Sequence, residues 1–390
     1  MRVLHIGKFY PPHAGGIEHF SADLVRALAG RGVSTAMLAH ASPGAKGRAF
    51  NDERVEVVLA TCHGQLLYAP VSPSFPIQLG RLIARFRPEL LHLHLPNTSA
   101  FWALLSPAAR ALPWVIHWHA DIPLDARNAK VRALYRLYRP WEQALLRRAR
   151  AIVATSAAYR DASAALAPWH DKIRVIPLGL GDASADAPAV ATESDAPGAA
   201  SERSASVHWP AAGVRILAVG RLSYYKGFDV LLRAIAQLPQ VTLLLIGGGE
   251  CEASLRDLAR ELDIEARVRF AGIVDDKSLR SAYARAQIFC LPSIERSEAF
   301  GLVLLEAMRA GLPVVASAIP GSGVGHVVVD AQTGILTPPA DAAALARALG
   351  TLAADAPARA QMGTAGYARW REEFTLDRCV QQVLALYRTL

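Results

Sequence analysis

Short apolar runs alternate with longer segments whose apolar positions recur every three or four residues, almost from end to end of the chain. The short runs read as buried strands at Val3–Ile6, Val33–Ala39, Leu90–Leu93, Trp114–Trp118, Ala151–Ala154 and Ile173–Ile176. Between them the helical period predicts helices at Ile17–Ala29, Ile77–Phe86, Lys130–Arg148 and Ala157–Leu166. The pattern stops after Pro177-Leu178-Gly179, and residues 181–213 are dominated by Ala, Ser, Pro, Asp and Glu. A segment of that composition cannot bury enough surface to order itself and reads as a flexible linker. Strands resume at Arg215–Val219, Val241–Ile246, Val268–Phe270, Ile288–Leu291 and Val314–Ala316, and a last helix is expected at about Leu376–Tyr387. Such alternation builds parallel sheets covered by helices, an α/β protein. The expected divisions are residues 1–180, the linker 181–213, a second domain 214–372 and a terminal segment 373–390.

Composition narrows this picture. The chain has 390 residues, room for two domains, and 52% apolar against 19% charged residues, which suits well-buried cores. No apolar run is long enough to cross a bilayer. The N-terminus reads as a first strand, without the apolar core or cleavage site of a secretory signal. Cys62, Cys251, Cys290 and Cys379 match no metal-ligand spacing and read as free thiols of a reducing cytoplasm. The net charge of +8 is unevenly placed. Lys130, Arg132, Arg136, Arg139, Arg147, Arg148 and Arg150 share one predicted helical region with Leu134, Tyr135, Leu137, Tyr138 and Trp141. Such a helix can lie on an anionic membrane surface, or its arginines can simply solvate the outer face of a packed helix. No nucleic-acid-binding motif accompanies the charge.

The stretch richest in chemistry is Ser297-Glu298-Ala299-Phe300-Gly301-Leu302-Val303-Leu304-Leu305-Glu306, which runs on to Gly311-Leu312-Pro313. The spacing predicts a helix that opens near Phe300 and stops at Gly311, with Pro313 barring its continuation. The amides of Phe300, Gly301 and Leu302 then lack helical partners, with Glu298 beside them and Glu306 two turns further on. A helix N-terminus favours anions, and carboxylates accept hydrogen bonds from hydroxyls, so the set suits a nucleotide sugar. Two glutamates alone would be an ordinary solvated face; their neighbours decide.

Gly220-Arg221-Leu222-Ser223-Tyr224-Tyr225-Lys226-Gly227 follows a strand and opens a helix. Arg221 and Lys226 therefore sit at a strand's carboxyl end, where open α/β sheets receive ligands. A guanidinium can grip phosphate oxygens at two points, and an ammonium adds a point charge. Between the first strand and first helix, Gly15 and Gly16 let backbone amides approach a phosphate closely. In Val115–Asp121, strand alternation sends His117 and His119 to one sheet face and Trp118 to the other. His92 and His94 also share a face, but they lack the helical spacing of a zinc protease, and no metal site is expected. Gly247-Gly248-Gly249 lacks the full G-x-G-x-x-G pattern and reads as a structural turn.

Together these motifs resemble the retaining glycosyltransferases of family 4. Glu298 and Glu306 match that family's E-x7-E signature. The resemblance extends over Ile288–Ser293, Pro313–Ser317, Gly321–Val324 and Thr333–Pro339, and covers nearly the whole chain apart from the insertion. It implies the GT-B fold, two Rossmann-like domains with parallel sheets facing a central cleft, and a last helix packed back on the N-terminal domain. It further implies that Arg221 and Lys226 contact the donor diphosphate, and that Gly15 and Gly16 meet the diphosphate and sugar. His119 would reach the transferred sugar, with His117 structural and Asp121 orienting the loop or approaching the acceptor. Glu306 would hold the ribose, and Glu298 with the amides of Phe300, Gly301 and Leu302 the hexose hydroxyls.

There is no Asp-x-Asp tripeptide, so charge compensation by Arg221 and Lys226 is expected, with neither metal nor other cofactor. The implied reaction is transfer of a hexose with retention, from GDP-mannose ahead of a UDP-hexose, to a glycan or polyprenyl-linked acceptor of bacterial surface polysaccharide. The implied place is the cytoplasm, with the basic helix allowing a peripheral position on the membrane's inner face. Two other classes stand beside it. One is a non-catalytic nucleotide-sugar-binding subunit; the other is an NAD-dependent oxidoreductase, suggested only by Gly247–Gly249 and leaving Glu298 and Glu306 without a role.

Overall fold

A computed structural model describes residues 1–13, 15–66, 69–122, 129–182, 208–210 and 213–390, with the backbone alone at 129–131. Most of the expected linker at 181–213, Ala14 of the Gly-Gly loop and the Lys130 side chain lie outside the described residues. The chain forms two compact units, Met1–Gly181 with Leu376–Leu390, and Asp182–Thr375.

The first unit contains β1 (Arg2–Phe9), β2 (Ser34–His40), β3 (Arg48–Asp52), β4 (Val55–Ala60), β5 (Gln65–Leu66), β6 (Ala69–Pro70), β7 (Leu90–Leu95), β8 (Trp114–Trp118), β9 (Ala151–Ala154) and β10 (Ile173–Val175). Eight of them form one sheet in the order β10-β9-β8-β7-β1-β2-β4-β3, while β5 and β6 pair separately. Every neighbouring pair in the large sheet is parallel except β3 with β4. The central strands β1, β7 and β8 are almost continuously buried because helices cover both faces of such a sheet. Neither β3 nor β4 was predicted; β3 is polar apart from Ala49 and Phe50, and Phe50 packs against the cluster that contains Val55 and Val57. The helix expected at Ala157–Leu166 stops at Ala162. There Ser163 leaves helical backbone geometry, and its hydroxyl donates to Asp121 Oδ1 at 2.6 Å. The Leu376–Tyr387 helix belongs to this unit; the Leu376 amide donates to the Leu180 carbonyl at 3.0 Å.

The second unit contains β11 (Val214–Val219), β12 (Val241–Ile246), β13 (Val268–Gly272), β14 (Ile288–Leu291), β15 (Val314–Ser317) and β16 (Gly334–Thr337). They form an all-parallel sheet in the order β13-β12-β11-β14-β15-β16. This is the doubly wound order, and its direction of winding reverses between β11 and β14. Ile216, Leu243, Ile288 and Val315 form the core of one face with Leu231 and Ile235 of the Phe228–Ala236 helix and Leu349 of the Ala342–Ala354 helix. The strand β16 went unpredicted because only Ile335 and Leu336 in its run are large and apolar. It lies so close to β15 that a Cβ at Gly334 would stand 2.1 Å from the Val314 carbonyl. Among the described residues, no helix is long and apolar enough to cross a membrane.

Candidate functional site

The reversal between β11 and β14 leaves a crevice at the strands' carboxyl ends, and the loops after these two strands carry Lys226 and Glu298. Lys226 Nζ donates to Glu298 Oε2 at 2.6 Å, and Ser293 Oγ donates to the same oxygen at 2.7 Å. Both ionic side chains are buried. Removing two charges from water is costly, and only a short, well-supported contact offsets that cost. Burial is the largest influence on Lys226 and lowers its pKa. The opposing charge of Glu298, the Tyr225 hydroxyl and the hydrogen bond outweigh it and hold the ammonium above its ordinary value. Ser322 Oγ in turn donates to the Glu298 carbonyl oxygen. Lys226 therefore acts first as the counter-ion of Glu298.

The helix after this loop runs from Leu302 to Arg309, two residues later than expected. Gly301 is the reason: it sits at φ 81°, a left-handed conformation that ordinary side chains avoid. Among the described residues, the amides of Phe300, Gly301 and Leu302 donate no hydrogen bond, so they remain able to meet an anion or hydroxyl. Phe300 is buried, edge-on to Phe374 with ring centroids 6.1 Å apart. Glu306 lies one turn into this helix, where its Oε2 accepts from the Tyr283 hydroxyl at 2.7 Å. The buried phenol's pKa is pushed well up, by burial first and by Glu306 next.

Arg221 lies on the loop after β11, with Nε 3.5 Å from Glu250 Oε2 and its side chain more than half exposed. The Gly247–Gly249 turn presses against this loop. Leu222 N–H donates to the Gly248 carbonyl at 3.0 Å, and Cys251 N–H to the Leu222 carbonyl at 2.9 Å. A Cβ on Gly247 would stand 1.9 Å from the Gly220 carbonyl, at a φ of 136°. These glycines thus fix the backbone that presents Arg221. Sequence reasoning assigned no part to Ser293, Tyr283 or Ser322. Tyr283 and Ser322 meet the glutamates only through tertiary contacts, and Ser293 meets Glu298 through the fold of the loop they share, so no spacing signal links them.

In the first unit, Gly15 caps the Gly16–Gly30 helix in extended geometry, and the Glu18 carboxylate folds back over it. A Cβ on Gly15 would stand 2.0 Å from Glu18 Oε2. Burial raises the Glu18 pKa at this helix N-terminus. His119, just past β8, is buried, with Nε2 3.0 Å from His94 Nδ1, and its ring stacks on His117 at 4.4 Å. Burial, then His117 and His94, lower the His119 pKa and hold the imidazole neutral. Asp121 Oδ1 accepts from Trp118 Nε1 at 2.9 Å and from Ser163, and the Asp121 amide donates to the Tyr159 hydroxyl at 2.7 Å. It therefore orders the loop after β8.

Comparison with known proteins gives a consistent picture. Residues 202–369 match the profile described as glycosyl transferases group 1, and residues 15–179 that of the glycosyl transferase 4-like domain. The chain is 30% identical to the O-antigen chain mannosyltransferase C of Escherichia coli, over 100% of this chain and 99% of that one. It is 29% identical to the D-rhamnosyltransferase WbpZ of Pseudomonas aeruginosa, over 96% of this chain and 92% of that one. Among solved structures it resembles sucrose-phosphate synthase from Thermosynechococcus elongatus, with a TM-score of 0.77, 24% identity and coverage of 100% and 98%. Two Rossmann-like units, an E-x7-E pair at a doubly wound switch point and a full-length relative agree: the chain belongs to the family 4-like glycosyltransferases of the GT-B fold.

Proposed function

We propose that this glycosyltransferase moves a mannosyl group from GDP-mannose to a hydroxyl of a glycan or lipid-linked glycan, with retention, in bacterial surface polysaccharide assembly. The observation that carries the reading is the buried Lys226–Glu298 pair across the β11/β14 switch point, with Glu306 on the next helix. Glu298 and the amides of Phe300, Gly301 and Leu302 receive hexose hydroxyls, and Glu306, aimed by Tyr283, receives the ribose. Arg221 and the remaining protons of Lys226 offset the charge of the diphosphate, with no metal required there. Gly15 and Gly16 supply amides to the diphosphate, and His119 hydrogen-bonds a hydroxyl of the transferred sugar.

In the transfer, the bond from C1 to the phosphate oxygen breaks and its electron pair leaves with the diphosphate. The acceptor oxygen bonds C1 from the same face, and its proton passes to the departing phosphate. Glu298 is engaged with Lys226 and Ser293, which favours this route over one through a covalent glycosyl-enzyme.

The mannosyl reading is supported by the E. coli relative's name, while the P. aeruginosa relative's name points to D-rhamnose, the 6-deoxy form of D-mannose. A thermal-shift panel of GDP, UDP, ADP and NAD, repeated with Glu306→Ala, tests the donor class. Stabilisation by GDP that the variant loses supports the reading. Stabilisation by UDP alone moves the donor to a UDP-hexose, and a response to NAD alone overturns the site. Turnover of GDP-mannose against GDP-D-rhamnose then decides the sugar. Tight donor binding without transfer to any glycan acceptor would instead favour a non-catalytic binding subunit. The helix Ala129–Arg148, exposing Arg132, Leu134, Arg136, Leu137, Arg139 and Trp141, supports a place on an anionic membrane surface.

A further inference from the structure

Five histidines lie together on one face of the first unit's sheet. His5 is on β1, His92 and His94 on β7, His117 on β8, and His119 follows at its end. The parallel register sets His5 opposite His92 and His94 opposite His117. All five are buried, and their rings stack, with centroids 4.6 Å apart for His5 and His92, 4.8 Å for His92 and His94 and 4.4 Å for His117 and His119.

A neutral imidazole has one donor and one acceptor nitrogen. Among the described residues, His5 Nε2, His92 Nε2, both nitrogens of His117 and His119 Nδ1 meet no hydrogen-bond partner. Buried polar atoms are nearly always satisfied by protein, water or an ion, and an orphan such as His92 Nε2, set among other imidazole nitrogens, calls for a ligand. We infer that His5, His92 and His94 form a binding site for a first-row transition-metal dication of the zinc type.

The geometry favours this trio. One ligand nitrogen from each of the three lies within 4.8 Å of the others. His5 Nδ1 and His94 Nε2 are 3.1 Å apart, close to the roughly 3.3 Å between two nitrogens that share a tetrahedral zinc at about 2.0–2.1 Å. Histidines that bind metals are usually oriented through their second nitrogen. His92 Nδ1 bonds the Tyr387 hydroxyl and leaves Nε2 to the metal; His94 Nδ1 bonds His119 and leaves Nε2. His5 Nε2 has no partner among the described residues, so two of the three ligands are oriented in this way; in the alternative trio of His94, His117 and His119, His117 has a partner on neither nitrogen. Neither cluster contains a carboxylate, which disfavours Mg²⁺ and Ca²⁺ and favours ions that prefer imidazole. This departs from the sequence expectation of no metal, which considered each strand alone. The Tyr387 contact also ties the site to the C-terminal helix.

The test uses the full-length chain without a polyhistidine tag, stripped with a chelator, equilibrated with Zn²⁺, Co²⁺ or Mg²⁺ and desalted. The expected result is about one Zn²⁺ retained per chain, with a visible ligand-field spectrum for the Co²⁺ form and a raised melting temperature with Zn²⁺ but not Mg²⁺. His92→Gln should lose all three, while His170→Gln at an exposed position keeps them. No retained Zn²⁺ and no Co²⁺ spectrum in the wild type would overturn the site, as would equal retention in folded His92→Gln. The wild-type Co²⁺ titration decides the matter even where His92→Gln fails to fold.

Discussion

Lys226 Nζ lies 2.6 Å from Glu298 Oε2, and this one contact joins the loop after β11 to the loop after β14 at the place where the sheet reverses its winding. Each residue is the other's counter-ion in a buried setting. Lys226→Ala leaves the Glu298 carboxylate buried with Ser293 as its remaining side-chain hydrogen-bond donor among the described residues, and should destabilise the protein by about 3–5 kcal/mol. The double variant Lys226→Met/Glu298→Gln carries no buried charge and should recover much of that loss while transferring no sugar. Denaturant unfolding of Lys226→Met, Glu298→Gln and the double variant measures the coupling. Additive losses would show that the pair is not a unit.

Glu306 and Tyr283 act in series. If Glu306 receives the ribose, Glu306→Ala should weaken nucleotide binding about tenfold or more, the loss of one charge-assisted hydrogen-bonding group. Tyr283→Phe keeps the carboxylate and removes only its orienting hydroxyl, so a loss of roughly threefold is expected. Calorimetric titration with the nucleoside diphosphate reads both. A larger effect from Tyr283→Phe than from Glu306→Ala would reverse the assignment.

The Gly247 turn is a steric requirement. Gly247→Ala places a Cβ 1.9 Å from the Gly220 carbonyl at a φ of 136°, so the backbone itself must move. A cost of about 1–3 kcal/mol is expected, with weaker donor binding because the Arg221 loop shifts. Gly248→Ala is the control. Its Cβ would meet only the flexible Ile273 side chain, at 3.4 Å, and should change the melting temperature little.

Glu142 sets a pH dependence in the first unit. Burial is the main cause of a pKa pushed up to about 7, while Tyr135 donates a hydrogen bond that pulls it down. The folded state therefore holds this proton more tightly than the unfolded chain, and stability is lost as pH rises from about 4.5 to about 7. Above that window the penalty is on the order of 3 kcal/mol. Glu142→Gln should be more stable than wild type at pH 8 by a similar order and indistinguishable near pH 4. Denaturation curves at the two pH values measure the difference. A variant equally or less stable at pH 8 would remove Glu142 as the cause.

The basic helix gives a fifth measurable contrast, in membrane association. Leu137 is 71% exposed and Trp141 44%, between exposed arginines. Each basic side chain contributes about 1 kcal/mol at an anionic surface, so Arg132→Gln/Arg136→Gln/Arg139→Gln should weaken binding to phosphatidylglycerol vesicles roughly 100-fold. Sedimentation with these vesicles, against phosphatidylcholine alone and at rising salt, reads the effect. Equal binding by wild type and triple variant would rule out a surface role for this helix face.

The sequence by itself determined the alternation of strand and helix, because buried parallel strands must be apolar runs and their helices must be amphipathic. It also placed Glu298, Gly301 and Glu306 at a helix start, since a left-handed glycine and a following helical repeat are local properties. Arg221 and Lys226 at a strand's end were legible for the same reason. Sequence could not show that Lys226 is spoken for by Glu298, 72 residues away, or that Tyr283 aims Glu306. Nor could it show that His5, His92 and His94 meet, because each strand's period fixes only which face a side chain takes. Which side chains become neighbours was decided by strand order and register, and these depend on how the whole sheet packs.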